Sequence, residues 1–216
     1  MRILALADIH GSPSVSYMVR EIADEHSPDV VVLAGDITHF GPVSWAENFV
    51  REIVDMGLVV VGVPGNCDPP EVDKAIERGG GISLHDSRTS VKGLEFAGLG
   101  GSNPTPFPTM YWRSEEEIGE ALYGLMENLD VLVTHVPPLG KNDMTRSRGT
   151  HAGSKGLADI VNKHRPRVVI AGHIHEARGI VRDAGVLYIN PGQAGRGLAG
   201  IVDIDLDGSD ASAVLL

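Results

Sequence analysis

Cysteine occurs once in these 216 residues, at position 67, so no intramolecular disulfide can form and a thiolate cage for zinc is out of reach. Positive charge is also short. The 18 Lys and Arg face 29 Asp and Glu, a formal net charge of −11. Such a surface repels phosphate backbones and anionic lipid at long range, which argues against a dedicated nucleic-acid or membrane-surface binder. A local cluster of metal or basic groups can still draw in a small anion. Long apolar runs are missing as well. Ile3–Ala7 is cut off by Asp8, too short for the apolar region of an export signal, and no stretch approaches the length that spans a bilayer. A cytoplasmic protein is expected. With 42% hydrophobic and 22% charged residues, the composition is that of a folded globular chain.

What the chain does have is an alternation of short apolar runs with amphipathic ones. Ile3–Ala7, Val30–Ala34, Val59–Val63, Val131–Thr134 and Val168–Ala171 are rich in β-branched residues and lack an in/out alternation. They are predicted to be strands buried on both faces. Ser12-Pro13 offers a helix N-cap with Pro at the first helical position. Ser44–Glu47 and Ser114–Glu117 fit the capping box, and Ser154 opens a helix over Lys155–His164 that stops before Pro166. Asp86–Gly101 reads as two strands around Lys92-Gly93, Gly179–Asp207 as several short strands, and Asn103–Pro108 as a loop. No shift in composition marks a boundary. Residues 1–216 are therefore expected to form one α/β domain, with parallel pairing early and more antiparallel pairing late.

Each predicted buried strand ends in side chains that can hold a metal. In order these are Asp8-Ile9-His10, Gly35-Asp36 followed by His39 and Gly41, Gly65-Asn66-Cys67-Asp68, His135, and Gly172-His173-Ile174-His175. In open α/β sheets ligands collect beyond the carboxyl ends of the strands, so these groups are expected to converge. On an extended backbone residues i and i+2 share a side, which would aim Asp8 with His10, and His173 with His175, at one place. Turn chemistry explains any one of these residues alone. Four of nine histidines at strand ends argue together. His26, His85 and His164 read as surface residues and His39 as a loop residue. His151 precedes a predicted helix N-terminus and is a candidate substrate contact.

Taken together, the motifs resemble those of the calcineurin-like metallophosphoesterase superfamily: D-x-H, G-D-x-x-x-x-G, G-N-H-[ED], a lone H and G-H-x-H, in that order over residues 8 to 175. The resemblance implies an α/β fold of two facing mixed β-sheets flanked by helices, an α/β/β/α sandwich. It also implies a dinuclear metal centre. Asp8, His10, Asp36 and His175 would hold one ion, and Asp36, Asn66, His135 and His173 the other, with Asp36 bridging. Two divalent ions outweigh two carboxylates and one hydroxide, so the cluster attracts an anion inside an acidic protein. Imidazole, carboxylate and amide ligation suits Mn, Fe, Ni or Zn. The implied activity is hydrolysis of small phosphoesters by metal-activated hydroxide. Asn66, Cys67, Asp68 and His135 would be catalytic, and Asn66, Cys67 and His151 would touch substrate. The alternative is a non-catalytic metal-binding scaffold or interaction module on the same fold. One departure stands out: Cys67 replaces the usual His. A thiol is a weak donor and a poor general acid, which favours phosphodiesters over monoesters. Asp68 either orients the adjoining loop or Cys67, or caps a turn.

Overall fold

The computed structural model describes residues 1–146, 149–208 and 210–216. The parallel strands β1 (Arg2–Leu6), β2 (Val30–Ala34) and β3 (Val59–Val63) lie side by side, each returned to the next by a helix, α1 (Ser14–His26) and then α2 (Val43–Asp55). Next, α3 (Val72–Arg78) leads to β4 (Ile82–Ser83), parallel to β3. A hairpin of β5 (Ser87–Val91) and β6 (Leu94–Leu99) then opens a second sheet. Its turn, Lys92-Gly93, has positive φ at both residues, the backbone that a two-residue hairpin needs. The chain continues through α4 (Glu115–Tyr123), β7 (Val131–Thr134), the short pair β8 (Met144–Thr145) and β9 (Thr150–His151), α5 (Lys155–His164) and β10 (Val168–Ile170). It ends with β11 (Gly179–Asp183), β12 (Val186–Asn190), β13 (Gly200–Ile204) and β14 (Ala211–Leu215).

Two mixed sheets of six strands result, ordered β14-β13-β1-β2-β3-β4 and β11-β12-β10-β7-β6-β5. The period of two along each strand divides the apolar side chains between layers. Ile3, Ala5, Val30, Val32, Phe96, Val131, Val133 and Ile170 fill the space between the sheets. Leu4, Leu6, Val31 and Leu33 face the other way, against Val15 and Val19 of α1 and Phe49, Val50 and Ile53 of α2. Leu132 and Val169 meet Ile118 and Leu122 of α4 and Leu157 and Ile160 of α5. Both faces of the central strands are therefore dry, which is why their sequences run apolar without alternation.

Ser114 and Glu117 form the expected capping box, at 3.2 and 2.7 Å, and Ser154 accepts the Leu157 N–H at 3.1 Å to start α5. Two other expected caps do not form. The helix boundary falls on Pro13, outside α1, and Ser12 Oγ pairs with Ser14 Oγ instead. The second starts at Val43 behind Pro42, so Ser44 lies within α2 and Glu47 turns to Arg51 and Arg78, 2.8 Å from each. The pairing pattern follows the expected trend. The strands β1 to β4 pair in parallel, and antiparallel pairs enter afterwards, at β5–β6, β11–β12, β13–β14 and β1–β13, beside the parallel pairs of β7, β10 and β12. A hairpin can add an edge strand with a short turn, whereas a central parallel strand needs a crossover. No helix among the described residues is long and apolar enough to cross a membrane.

The packing between the sheets is tested at Phe96, whose side chain is fully buried there. Replacing Phe96 by Ala should lower the unfolding free energy by about 3–5 kcal/mol. A urea titration followed by circular dichroism will show this as a lower midpoint with an unchanged slope.

Candidate metal centre

The residues that follow β1, β2, β3, β7 and β10 meet at one end of the sandwich. His175 Nε2 lies 3.2 Å from Asp8 Oδ1 and 3.4 Å from His10 Nε2, and His10 Nε2 lies 3.8 Å from Asp36 Oδ2. Asp36 Oδ1 is 3.4 Å from His135 Nε2 and accepts the Cys67 N–H at 2.7 Å. His135 Nε2 is 2.8 Å from Asn66 Oδ1, and the His135 and His173 rings are 5.0 Å apart. Among the described residues, Asp8–His10–His175, His10–Asp36–Cys67 and Asp8–Asp36–His135 each bring ligand atoms within 4.8 Å of one another.

Convergence is not achieved by extended backbone, as the i, i+2 reading expected. Asp8, His10, Asp36 and His173 have φ of 55°, 51°, 48° and 67°. These left-handed conformations cost roughly 1–3 kcal/mol each and persist only where surrounding bonds fix them. Here the Asp8 N–H donates to Gly35 O at 3.1 Å, His10 N–H to Asp36 O at 2.8 Å, and His173 N–H to Asp8 Oδ2 at 3.1 Å. Two glycines make the approach feasible. A Cβ on Gly35, itself at φ +83°, would stand 2.5 Å from His135 Nδ1, and one on Gly65 would stand 2.1 Å from Asp36 Oδ1.

Asp68 lies behind this cluster and does not line the adjoining cavity. It is fully buried and takes four hydrogen bonds, from Ile37 N–H, Thr38 N–H, the Thr38 hydroxyl and Gly65 N–H, at 2.7–3.0 Å. It thereby ties the Asp36 loop to the Gly65 turn. Burial and then the Asp36 charge push its pKa up to about 6.

The donor chemistry calls for positive charge between these groups. His135 Nδ1 lies 2.9 Å from Ala34 O, so Nδ1 carries a proton and Nε2 is left to face Asn66 Oδ1 and Asp36 Oδ1, both acceptors. Three lone-pair atoms pointing at one another repel unless a proton or a cation stands among them. The Asp8 Oδ1 oxygen is buried without a hydrogen-bond partner and raises the same demand. Burial opposes an imidazolium at His135, yet Asp36 overrides it and pushes the pKa up to about 9. Burial and the neighbouring His135 hold His173 down at about 4. The Asp8 carboxylate, 3.2 Å away, raises His175, and burial lowers His10. The donor set and the unpartnered oxygen thus fit divalent cations held by imidazole, carboxylate and amide.

A cavity of about 410 Å³ opens on the cluster, with His10, Asp36, Asn66, Cys67, His173 and His175 on one wall. Burial, and next the Asp36 carboxylate, push the Cys67 thiol well above its ordinary pKa, so it stays protonated at neutral pH. His135 is fully buried behind Asn66. His151, an expected substrate contact, does not line the cavity. Its Nδ1 is 2.7 Å from Asp143 Oδ1, and its neighbours Thr150 and Ala152 border the cavity instead. His39 is exposed, with its ring edge against His10. The opposite wall had no motif to announce it: Pro104, Thr105 and Phe107, from the stretch read only as a loop, with Thr145. This strap is docked on the site itself, because Met110 and Tyr111 N–H both donate to Asn66 O, at 2.9 and 3.2 Å. His85, expected at the surface, is largely buried under the strap. It accepts the Gly100 N–H at 2.9 Å and lies 2.6 Å from the Tyr111 hydroxyl.

Comparison with known proteins agrees with this geometry. The family model described as calcineurin-like phosphoesterase matches residues 1–177. An uncharacterised protein of Methanocaldococcus jannaschii is 35% identical over 199 residues, covering 88% of each chain. A Synechococcus protein named as a probable cyclic nucleotide phosphodiesterase is 24% identical over 155 residues, covering 71% of this chain and 60% of its own length. The crystal structure of TT1561 from Thermus thermophilus superposes with a TM-score of 0.73 at 19% identity, over 99% of this chain and 97% of that one.

The His135–Asp36 pairing makes a measurable demand. In chelator-treated protein the His135 ring should titrate near pH 9, read by NMR of its ring nitrogens. This pairing stabilises the fold fully below the ordinary histidine pKa of about 6.5 and loses its contribution as pH rises through 9. With Asp36→Asn, burial dominates and the midpoint should fall below 6.5.

Proposed function

Because the chain belongs to the calcineurin-like phosphoesterase family, we propose that it hydrolyses small phosphoesters with two divalent transition-metal ions, and phosphodiesters in preference to monoesters. The observation that carries this reading is the acceptor cluster at the cavity floor, where His135 Nε2, Asn66 Oδ1 and Asp36 Oδ1 face one another beside Asp8 Oδ1, which accepts no hydrogen bond. Asp8, His10, Asp36 and His175 would hold one ion, and Asp36, Asn66, His135 and His173 the other, drawn from Mn, Fe, Ni or Zn. When bound, such ions supply Lewis acidity at the phosphoryl oxygens and a strong nucleophile at neutral pH.

The side chains of the site have separable tasks. The Ala34 carbonyl orients the His135 ring so that Nε2, not Nδ1, is offered to the centre. With four donors around it, Asp68 acts as a positioning residue for the Asp36 loop and transfers no proton. Asn66 and Cys67 line the cavity where substrate would lie. The neutral Cys67 thiol brings neither the charge nor the acidity of an imidazolium. A monoester carries about two negative charges at neutral pH and leaves as an alkoxide that wants a proton, whereas a diester carries one charge. The site is therefore matched to diesters, or to esters with good leaving groups. The name of the Synechococcus relative accords with that preference. We take residues 1–216 as one metallophosphoesterase domain, since β13 lies beyond the matched 1–177 and yet pairs with β1 through Ile3–Val202 and Leu4–Ile201. A cytoplasmic place goes with this reading.

Protein loaded with Mn should carry two ions per chain by metal analysis and should hydrolyse bis(4-nitrophenyl) phosphate. His135→Ala should lower kcat by about a hundredfold or more while thermal unfolding stays cooperative. If loaded wild type and His135→Ala are equally inactive on mono- and diesters, the scaffold alternative holds.

The preference itself is tested at Cys67. Cys67→His restores a proton donor, a contribution of about a hundredfold or more where such a donor is well placed. The ratio of 4-nitrophenyl phosphate to bis(4-nitrophenyl) phosphate turnover should rise by about tenfold or more. An unchanged ratio would remove Cys67 from the argument.

A further inference from the structure

A second cavity, of about 550 Å³, adjoins the metal-site cavity and shares His175 and Glu176 with it. Its remaining lining is three arginines from distant parts of the chain: Arg146 just past β8, Arg178 just before β11, and Arg196 between β12 and β13. In a chain of net charge −11 such a concentration of positive charge is out of keeping with the rest of the surface. The ion pairing is out of keeping too. Among the described residues, seven of the nine other arginines have a carboxylate side chain within 4.0 Å, and the three of this cavity have none. Arg178 is fixed by the carbonyl of Pro191 at 3.0 Å and by an oxygen of Leu216, the last residue of the sequence, which orient its guanidinium without a carboxylate side chain. Arg146 and Arg196 are exposed. Glu176, the single acid of the lining, already accepts the Arg146 N–H at 3.2 Å.

We infer that this arginine pocket binds a second phosphate group of the substrate, so that the preferred substrate is a phosphodiester with a further phosphate on one ester arm. This rests on the phosphoesterase reading and narrows it. A guanidinium presents a planar fork of donors that matches phosphate oxygens, and three of them suit a group with three acceptor oxygens and nearly two charges. The two cavities meet at His175, so a single substrate can lie across both. The division of labour also follows from the charges. The scissile diester lies over the metal centre, and the doubly charged group is received where the arginines are.

The test compares thymidine 5′-(4-nitrophenyl phosphate) with the same diester bearing a 3′-phosphate, on Mn-loaded protein. The extra phosphate should raise kcat/KM by about tenfold, the worth of one or two charge-assisted hydrogen bonds. The advantage should shrink as salt is added, because exposed charges are screened. In the double variant R146Q/R196Q the ratio of the two substrates should fall to near one. Equal kcat/KM in the wild type, or an advantage that survives the double variant, would overturn the proposal. A binding measurement separates it from the catalytic reading. By calorimetry, thymidine 3′,5′-bisphosphate should bind the wild type about tenfold more tightly than thymidine 5′-phosphate does, and the double variant should not distinguish them. If neither ester is turned over, the phosphoesterase reading fails, and the two affinities still decide the pocket.

Discussion

Asp36 leaves β2 in the first sheet, yet its carboxylate lies 3.4 Å from His135 of the second sheet and takes the N–H of Cys67 beyond β3. A carboxylate this deeply buried would be costly without paired charge and donors, so the architecture around it is constrained to supply them. Gly65 has no side chain because a Cβ would collide with Asp36, and Gly35 has none because one would collide with the imidazole that Asp36 faces. The four donors gathered by Asp68 hold the Asp36 loop in a left-handed turn that its sequence would not adopt unaided. The polar end of the sandwich is thus built around the buried Asp36 carboxylate, with Asp8 and Asp68 buried beside it. The same packing that keeps the strands dry also keeps that charge available for cations.

Much of this was legible before any coordinates. Val30–Ala34, Val59–Val63 and Val131–Thr134 were read with their observed bounds, because five or fewer consecutive β-branched and aliphatic residues without alternation fit a strand dry on both faces and little else. The residues that follow them were legible because a parallel strand's carboxyl end is where α/β folds place ligands. Local signals served less well where two were available. Ser44 and Glu47 fit a capping box, but Pro42 ended the preceding chain first and Arg51 and Arg78 claimed the glutamate.

What the sequence concealed is what depends on long-range contact. His85 looks like a polar turn residue. Its burial comes from Gly100 and Tyr111, which arrive only when the strap folds back across β6. The strap has no motif because its task is set by two main-chain bonds to Asn66 O, available to almost any side chains at Met110 and Tyr111. The left-handed turns at Asp8 and His10 were hidden for a related reason. Asp and His tolerate such backbone more readily than most residues, but tolerance does not select it; the bonds to Gly35 O and Asp36 O do.

The three arginines escaped notice because they are scattered over fifty residues and lie in none of the metal motifs. Their significance depends on the acidic mean charge that argues against binding nucleic acid or anionic lipid. A net charge of −11 acts over the whole surface and is screened within about 8–10 Å at ordinary ionic strength. A cluster without carboxylate partners therefore governs its own neighbourhood. The Cys67 thiol belongs to the same balance. Burial and Asp36 hold it protonated, so it adds no charge of its own to the cavity that Asp36 borders. Discrimination among phosphate compounds at the scissile position must then come from charge supplied elsewhere. On the proposed reading, that charge would come from cations held by Asp8 and Asp36 on one side of His175 and from Arg146, Arg178 and Arg196 on the other.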